Sequence, residues 1–165
     1  MNTLIAVVIL ASLSCCMAQT CTLITYTHSR LTSSVRIDPA WKSGMDALMN
    51  AATSCKVTVT PTSSFRKDGV TITNAIVTPA TRSNHFIGQA IDLNLSLSDG
   101  SYCNSACLAA NSHADVKCFA NAAKAAGLRW GNDFSTADPV HFDSGLNLVS
   151  TKSFDDKYNA FQKYC

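Results

Sequence analysis

Four side chains in this sequence have types and spacing suited to chemistry: His85, Asp92, Asp138 and His141. They stand in two short segments, Ser83-Asn84-His85-Phe86-Ile87-Gly88-Gln89-Ala90-Ile91-Asp92 and Asp138-Pro139-Val140-His141-Phe142. Two imidazoles and a carboxylate make up the three protein ligands that a catalytic zinc accepts, with its fourth position open to water. A second carboxylate beside the last ligand can move that water's proton. The grouping is that of a candidate metallohydrolase. His28 and His113 have no such company and read as surface residues.

Such a site needs elements that bring the four together. Ala90 to Leu95 reads as a strand with Ile91, Leu93 and Leu95 on one face and Asp92 and Asn94 on the other, so Asp92 points away from the apolar side. Val140 to Phe142 reads as a short strand whose alternation turns His141 away from the core. His85 and Asp92 differ by an odd number of positions and would face opposite ways on one straight strand. A bend is therefore required between them, and Gly88 makes one cheap. Pro139 fixes the turn between Asp138 and His141.

The remaining elements supply the core. Asp38-Pro39-Ala40-Trp41 opens a helix that carries Trp41, Met45, Leu48, Met49 and Ala52 on one face. Ser112 with Asp115 resembles a capping box for a second helix, with Val116, Phe119, Ala120, Ala123 and Ala126 at helical spacing and a stop at Gly127. A last helix is expected from near Ser153, with Phe154, Tyr158 and Phe161 sharing a face. Lys56 to Thr60 reads as a strand ended by Pro61, and the β-branched run Val70 to Thr78 as another. No repeat, linker or low-complexity tract interrupts the chain.

The first eighteen residues hold no charged side chain, and Leu4 to Leu13 form an apolar run too short to span a bilayer. They read as a secretory signal cleaved after Ala18. A lipoprotein anchor is disfavoured, because neither Cys15 nor Cys16 follows the Leu-small-small order it needs. Residues 19–165 then form one domain, expected to be a secreted monomer with no membrane contact after signal removal. Of eight cysteines, six remain in this domain: Cys21, Cys55, Cys103, Cys107, Cys118 and Cys165. An even set in an exported chain implies up to three disulfides, in any of about fifteen pairings. A bridge between Cys21 and Cys165, near the two ends, would suppress fraying. Zinc ligation by cysteine is disfavoured for want of a Cys-x-x-Cys pair. The net charge of +2, with no basic run interleaved with aromatics, argues against nucleic acid as a partner.

The motifs Ser83-x-His85-x-x-Gly88-x-Ala90-x-Asp92, Gly127-Leu128-x-Trp130-Gly131-x-x-Phe134 and Asp138-x-x-His141-Phe142 resemble the zinc D-alanyl-D-alanine carboxypeptidase and L-alanyl-D-glutamate endopeptidase family, peptidase family M15. A looser match begins at Phe65-Arg66. The resemblance implies an α+β fold shared with the hedgehog signalling domain: a small antiparallel sheet with helices packed on one face and zinc held on the other, here stapled by disulfides. It implies one Zn2+ per chain with His85, Asp92 and His141 as ligands, Asp138 as catalytic base, and Arg66 over the site to bind the substrate carbonyl or the developing oxyanion. Ser83 would touch the substrate or bond the backbone at the bend. Asp143 projects to the same side as His141 and could support it. Trp130 is expected to pack the core.

The implied activity is hydrolysis of peptide bonds in peptidoglycan stem peptides, of the D-Ala-D-Ala carboxypeptidase or L-Ala-D-Glu endopeptidase type, with the Trp130-Gly131 segment nearer the endopeptidases. The alternative is a hedgehog-like zinc-containing secreted binding module without peptidase activity, since fold alone does not establish catalysis. A disulfide-stapled protein without metal would leave the His85, Asp92 and His141 grouping unexplained. The chain departs from the family in having Asn132 where a second glycine is frequent, a strand-like Val70 to Thr78, and more cysteines than wall peptidases carry. The sequon Asn94-Leu95-Ser96 falls within a strand and is expected to be unmodified.

Overall fold

A computed structural model describes residues 20–72, 77–78 and 80–165. The expected signal segment lies outside these residues. Two strands, β1 (Ile24–Tyr26) and β2 (Val35–Ile37), form a small antiparallel pair. The main sheet has five strands: β3 (Thr58–Ser63), β4 (Ala90–Ser96), β5 (Tyr102–Cys103), β6 (Arg129–Trp130) and β7 (His141–Asp143). Their order is β3-β4-β7-β6 with β5 also on β4, and every pairing between them is antiparallel. Helices α1 (Lys42–Ser54), α2 (Ser105–Ala110), α3 (Ala114–Ala125), α4 (Leu146–Val149) and α5 (Thr151–Tyr164) complete an α+β architecture of the expected class.

Alternation along β4 divides the two faces. Ile91, Leu93 and Leu95 are fully buried in a core that also holds Met45, Leu48 and Met49 of α1 and Val116 and Phe119 of α3. Phe142 of β7 joins them, edge-on to Phe119 at 5.4 Å and stacked on Trp130 at 6.0 Å. Trp130 thus packs the core as expected, and its indole N–H donates to Pro139 O at 2.7 Å. Helix α5 closes a second, smaller cluster in which Phe154 and Phe161 pack with Ile87.

Three disulfides tie these layers together. Cys55–Cys118 joins the end of α1 to α3, Cys103–Cys107 joins β5 to α2, and Cys21–Cys165 joins the two ends of the described chain. All six cysteines among the described residues are engaged, so none of these is free to bind metal.

The expected start of the first helix holds. Asp38 accepts from Ala40 N at 3.0 Å, and a 3-10 turn at Pro39–Trp41 leads into α1. The β3 expectation is corrected: the strand starts at Thr58 and continues through Pro61, which pairs with Leu93. On this edge strand Val59 turns its N–H outward to Arg30 O at 2.8 Å. Pro61, of the same parity, lacks an N–H only on that outer side, so no bond to β4 is lost. The α3 cap is also corrected. His113 Nδ1, not Ser112, accepts from Asp115 N at 3.1 Å, while the Asp115 carboxylate takes Ser98 N at 2.8 Å.

The strand expected over Val70 to Thr78 is not formed in its described part, residues 70–72 and 77–78; the rest lies outside the described residues. The outer edge of β3 is already taken by the chain around Leu31, which bridges Val59, so the run has no edge to pair with there.

Candidate metal centre

The site stands on the face of the sheet away from α1 and α3. Asp92 on β4 and His141 on β7 are direct cross-strand partners, so their side chains leave the sheet side by side. His85 comes from a 3-10 turn, Asn84–Ile87, that ends at Gly88 with φ +63°. That left-handed residue is the bend the odd spacing demanded. A side chain at Gly88 would place its Cβ 2.7 Å from Asp38 N, so the turn lies against the start of the 3-10 segment with no room to spare. Ser83 caps the turn, its Oγ accepting from His85 N at 3.3 Å, so the backbone role is the one the geometry gives it.

His85 Nε2, Asp92 Oδ1 and His141 Nδ1 form a nearly equilateral triangle with sides of 3.1, 3.0 and 3.1 Å. Each imidazole spends its other nitrogen on a fixed acceptor: His85 Nδ1 donates to Ser64 O at 2.7 Å, and His141 Nε2 to Asp143 Oδ2 at 2.9 Å. In the neutral tautomers so fixed, both inward-facing nitrogens carry lone pairs. With both rings neutral, three acceptor atoms converge, so the centre takes up either a proton shared with Asp92 or a cation. Ligand atoms around a tetrahedral zinc with bonds of about 2.1 Å lie about 3.4 Å apart, so the triangle fits after an outward shift of a few tenths of an ångström. The group could hold a metal ion.

Without a metal, the surrounding carboxylates favour the proton. Burial works against the charged form of His141, but the Asp143 and Asp92 carboxylates outweigh it and raise its pKa to about 9. Burial likewise opposes ionisation of Asp92, and the two histidines more than compensate, holding its carboxyl below the usual range. Asp143 behaves in the same way, with Arg129 as its strongest partner. The guanidinium clamps both carboxylate oxygens, Nε to Oδ1 at 2.7 Å and Nη2 to Oδ2 at 2.6 Å. Asp143 thus supports His141, and Arg129 supports Asp143.

Asp138 is held differently. Its backbone N–H donates to Gly131 O at 2.9 Å, and its carbonyl accepts from His141 N at 3.0 Å, closing the turn that contains Pro139. A Cβ at Gly131 would collide with Asp138 O, so this glycine sets how closely the Asp138 turn can pack on the residues that follow β6. Among the described residues the buried Oδ1 of Asp138 has no hydrogen-bond partner. Burial, followed by the charge of Asp92, raises its pKa.

Arg66 sits over the ring of Phe86 at 5.5 Å, with Nη2 donating to Ser83 Oγ at 3.4 Å. Burial lowers its pKa, while the charges of Asp92 and Asp138 act to raise it. Arg66, Ser83, His85, Asp92, Asp138 and His141 line one cavity of about 890 Å³, which also takes in Asn94, Asn104 and Asn147. All six residues singled out from the sequence are therefore brought together. Sequence reasoning missed Ser64, because a backbone carbonyl leaves no residue signal. It also missed Arg129, whose place across from Asp143 follows only from the β6–β7 register.

Two buried imidazoles and a carboxylate that could hold a metal ion thus stand beside the Asp138 carboxylate in one cavity on an antiparallel sheet. Residues 77–144 match the family model described as D-alanyl-D-alanine carboxypeptidase, which bears out the resemblance to peptidase family M15 and supports a peptidase. The matched segment holds Ser83, His85, Asp92, Asp138, His141 and Asp143; Arg66 and α5 lie outside it. No curated protein matches the chain.

Proposed function

We propose that the protein is a secreted zinc metallopeptidase that hydrolyses peptide bonds in bacterial peptidoglycan stem peptides. The observation that carries this reading is the triangle of ligand-type atoms from His85, Asp92 and His141 beside the Asp138 carboxylate, whose buried Oδ1 has no hydrogen-bond partner among the described residues. His85, Asp92 and His141 would hold one Zn2+, which when bound acidifies a water and polarises a carbonyl. Asp138 takes the proton from the attacking water and returns it to the leaving amine. Its raised pKa suits both halves of that task better than an ordinary aspartate would. Arg66 offers a planar fork of donors to the oxyanion that develops on the scissile carbonyl.

Residues 1–18 act as the secretory signal, and the three disulfides accord with an oxidising exterior. Among the described residues no helix is long and apolar enough to cross a membrane. Asn94 projects into the cavity beside Asp92, where a glycan would fill the space a substrate needs, and it acts unmodified.

Purified muropeptides incubated with the protein, with and without a chelator, test the reading by the masses of the products. Loss of a terminal D-Ala identifies the carboxypeptidase type, and a cut between L-Ala and D-Glu the endopeptidase type. Absence of metal-dependent cleavage from every stem would favour the hedgehog-like binding module.

A further inference from the structure

Arg66 follows the end of β3, where the ladder to β4 has ceased, and its segment is carried by an element outside the family match. The side-chain amide of Gln162, in the last turn of α5, accepts from Asp68 N at 2.8 Å and donates to Arg66 O at 3.3 Å. One amide thus pairs with the carbonyl of one residue and the N–H of the second residue after it, as a neighbouring strand would. The same Nε2 donates to Phe86 O at 2.8 Å, in the turn that carries His85. Arg66 N closes the loop on His85 O at 3.2 Å.

The surroundings hold Gln162 itself in place. Lys67 Nζ donates to the carbonyls of Phe161 and Gln162, and the Tyr158 hydroxyl donates to Asp68. Phe161 packs edge-on against Phe65 at 6.4 Å. Three residues beyond Gln162, Cys165 is bonded to Cys21, which anchors the end of the helix.

We propose that Gln162 is a positioning residue for Arg66: by standing in for a missing strand it fixes the Arg66 segment against the His85 turn and so aims the guanidinium over the site. This rests on the peptidase reading above. The group has no path to the reacting atoms except through Arg66 or the turn of His85. Misplacement of a donor by about 1 Å suffices to lose much of its effect on a transition state. Gln162→Met keeps the length and removes the amide, whereas Gln162→Glu keeps the acceptor for Asp68 N and loses the donor.

The test is a double-mutant cycle in the full disulfide-bonded protein, combining Gln162→Met or Gln162→Glu with Arg66→Ala. It is read by muropeptide turnover, by bound zinc, and by the NMR order parameter of the Arg66 Nε–H. Each Gln162 variant alone should lower kcat about tenfold with KM changed less than about twofold, and should lower the Arg66 order parameter. In the Arg66→Ala background the same substitutions should cost nothing further. Equal losses in both backgrounds, loss of bound zinc, or an unaltered Arg66 order parameter would overturn the proposal. If the parent protein cleaves no muropeptide, the peptidase reading fails while the order parameter still decides whether Gln162 orders Arg66.

Discussion

His141 Nε2 lies 2.9 Å from Asp143 Oδ2, and the carboxylate that receives it is gripped at both oxygens by Arg129. The two residues are separated by one position on β7, so strand alternation alone sends both to the site face. Asp143 fixes which imidazole nitrogen is bare and keeps the ring from turning. It is itself only 1 % exposed, which is tolerable for a carboxylate because Arg129 accompanies it.

Asp143→Asn should therefore weaken zinc binding by about 10- to 100-fold, the range for removing a partner of a metal-bound histidine. Competition against a chromophoric chelator measures it. Unchanged affinity would show that the ring is held by its packing alone.

Asp138→Asn preserves the turn with Pro139, because the contacts that build it are made by the Asp138 backbone. Zinc content should be retained while turnover falls by about 10²- to 10⁴-fold, the usual contribution of a general acid–base group. Elemental analysis beside the muropeptide assay separates this outcome from metal loss. An active Asp138→Asn protein would remove Asp138 from the mechanism.

Much of this site was legible in the sequence because its geometry is set by short-range rules. The parity of Asp92 in β4 and of His141 in β7, and the left-handed bend at Gly88, follow from strand alternation and from what glycine alone tolerates. What escaped depends on contacts distant along the chain. Pro61 looked like a strand terminator, and only the neighbouring segment at Arg30 to Thr32 reveals that its missing N–H falls on the outer side of β3. The strands β1 and β2 are each three residues long, too short for alternation to stand out from chance. Helix α2 has six residues and is defined by the Asn104 cap and the Cys103–Cys107 bridge, not by an apolar stripe. The Arg129 clamp needed the register of two strands, which a sequence pattern does not carry.

Metal and proton compete for His141 Nδ1. In the metal-free protein the raised pKa of about 9 means that the ring binds a proton at pH 7, and the contribution of that proton to stability is full below the unfolded value of 6.5. It is lost as pH rises through about 9. Zinc must displace this proton, so its apparent affinity should fall about tenfold for each pH unit below 9 over the range where His141 alone titrates. Isothermal titration across pH 7 to 9 should detect close to one proton released per zinc at the lower end. Free zinc at about 100 times its Kd should stabilise the fold by about 2.7 kcal/mol, seen as a higher melting temperature that a chelator reverses.

Gly88→Ala tests whether the bend is a steric requirement or only a conformational preference. Gly88 and Gly100 both have positive φ, +63° and +85°, so alanine is strained at either position. The left-handed conformation costs a non-glycine residue about 1 to 2 kcal/mol. At Gly100 nothing lies within 4 Å of the added Cβ, and Gly100→Ala should show that cost alone. At Gly88 the Cβ would fall 2.7 Å from Asp38 N and 2.9 Å from a Leu23 methyl, while Gly88 O is the acceptor for that same Asp38 N–H. The turn must move to make room. Because Gly88 N bonds His85 O at 3.2 Å, His85 moves with it. Chemical denaturation should therefore find Gly88→Ala less stable than Gly100→Ala by about 1 to 3 kcal/mol, the usual cost of overpacking. Zinc affinity should fall in Gly88→Ala only. Equal destabilisation with zinc binding intact in both would mean that the turn yields freely, and the fixed placement of His85 would then have to come from Ser64 and Ser83.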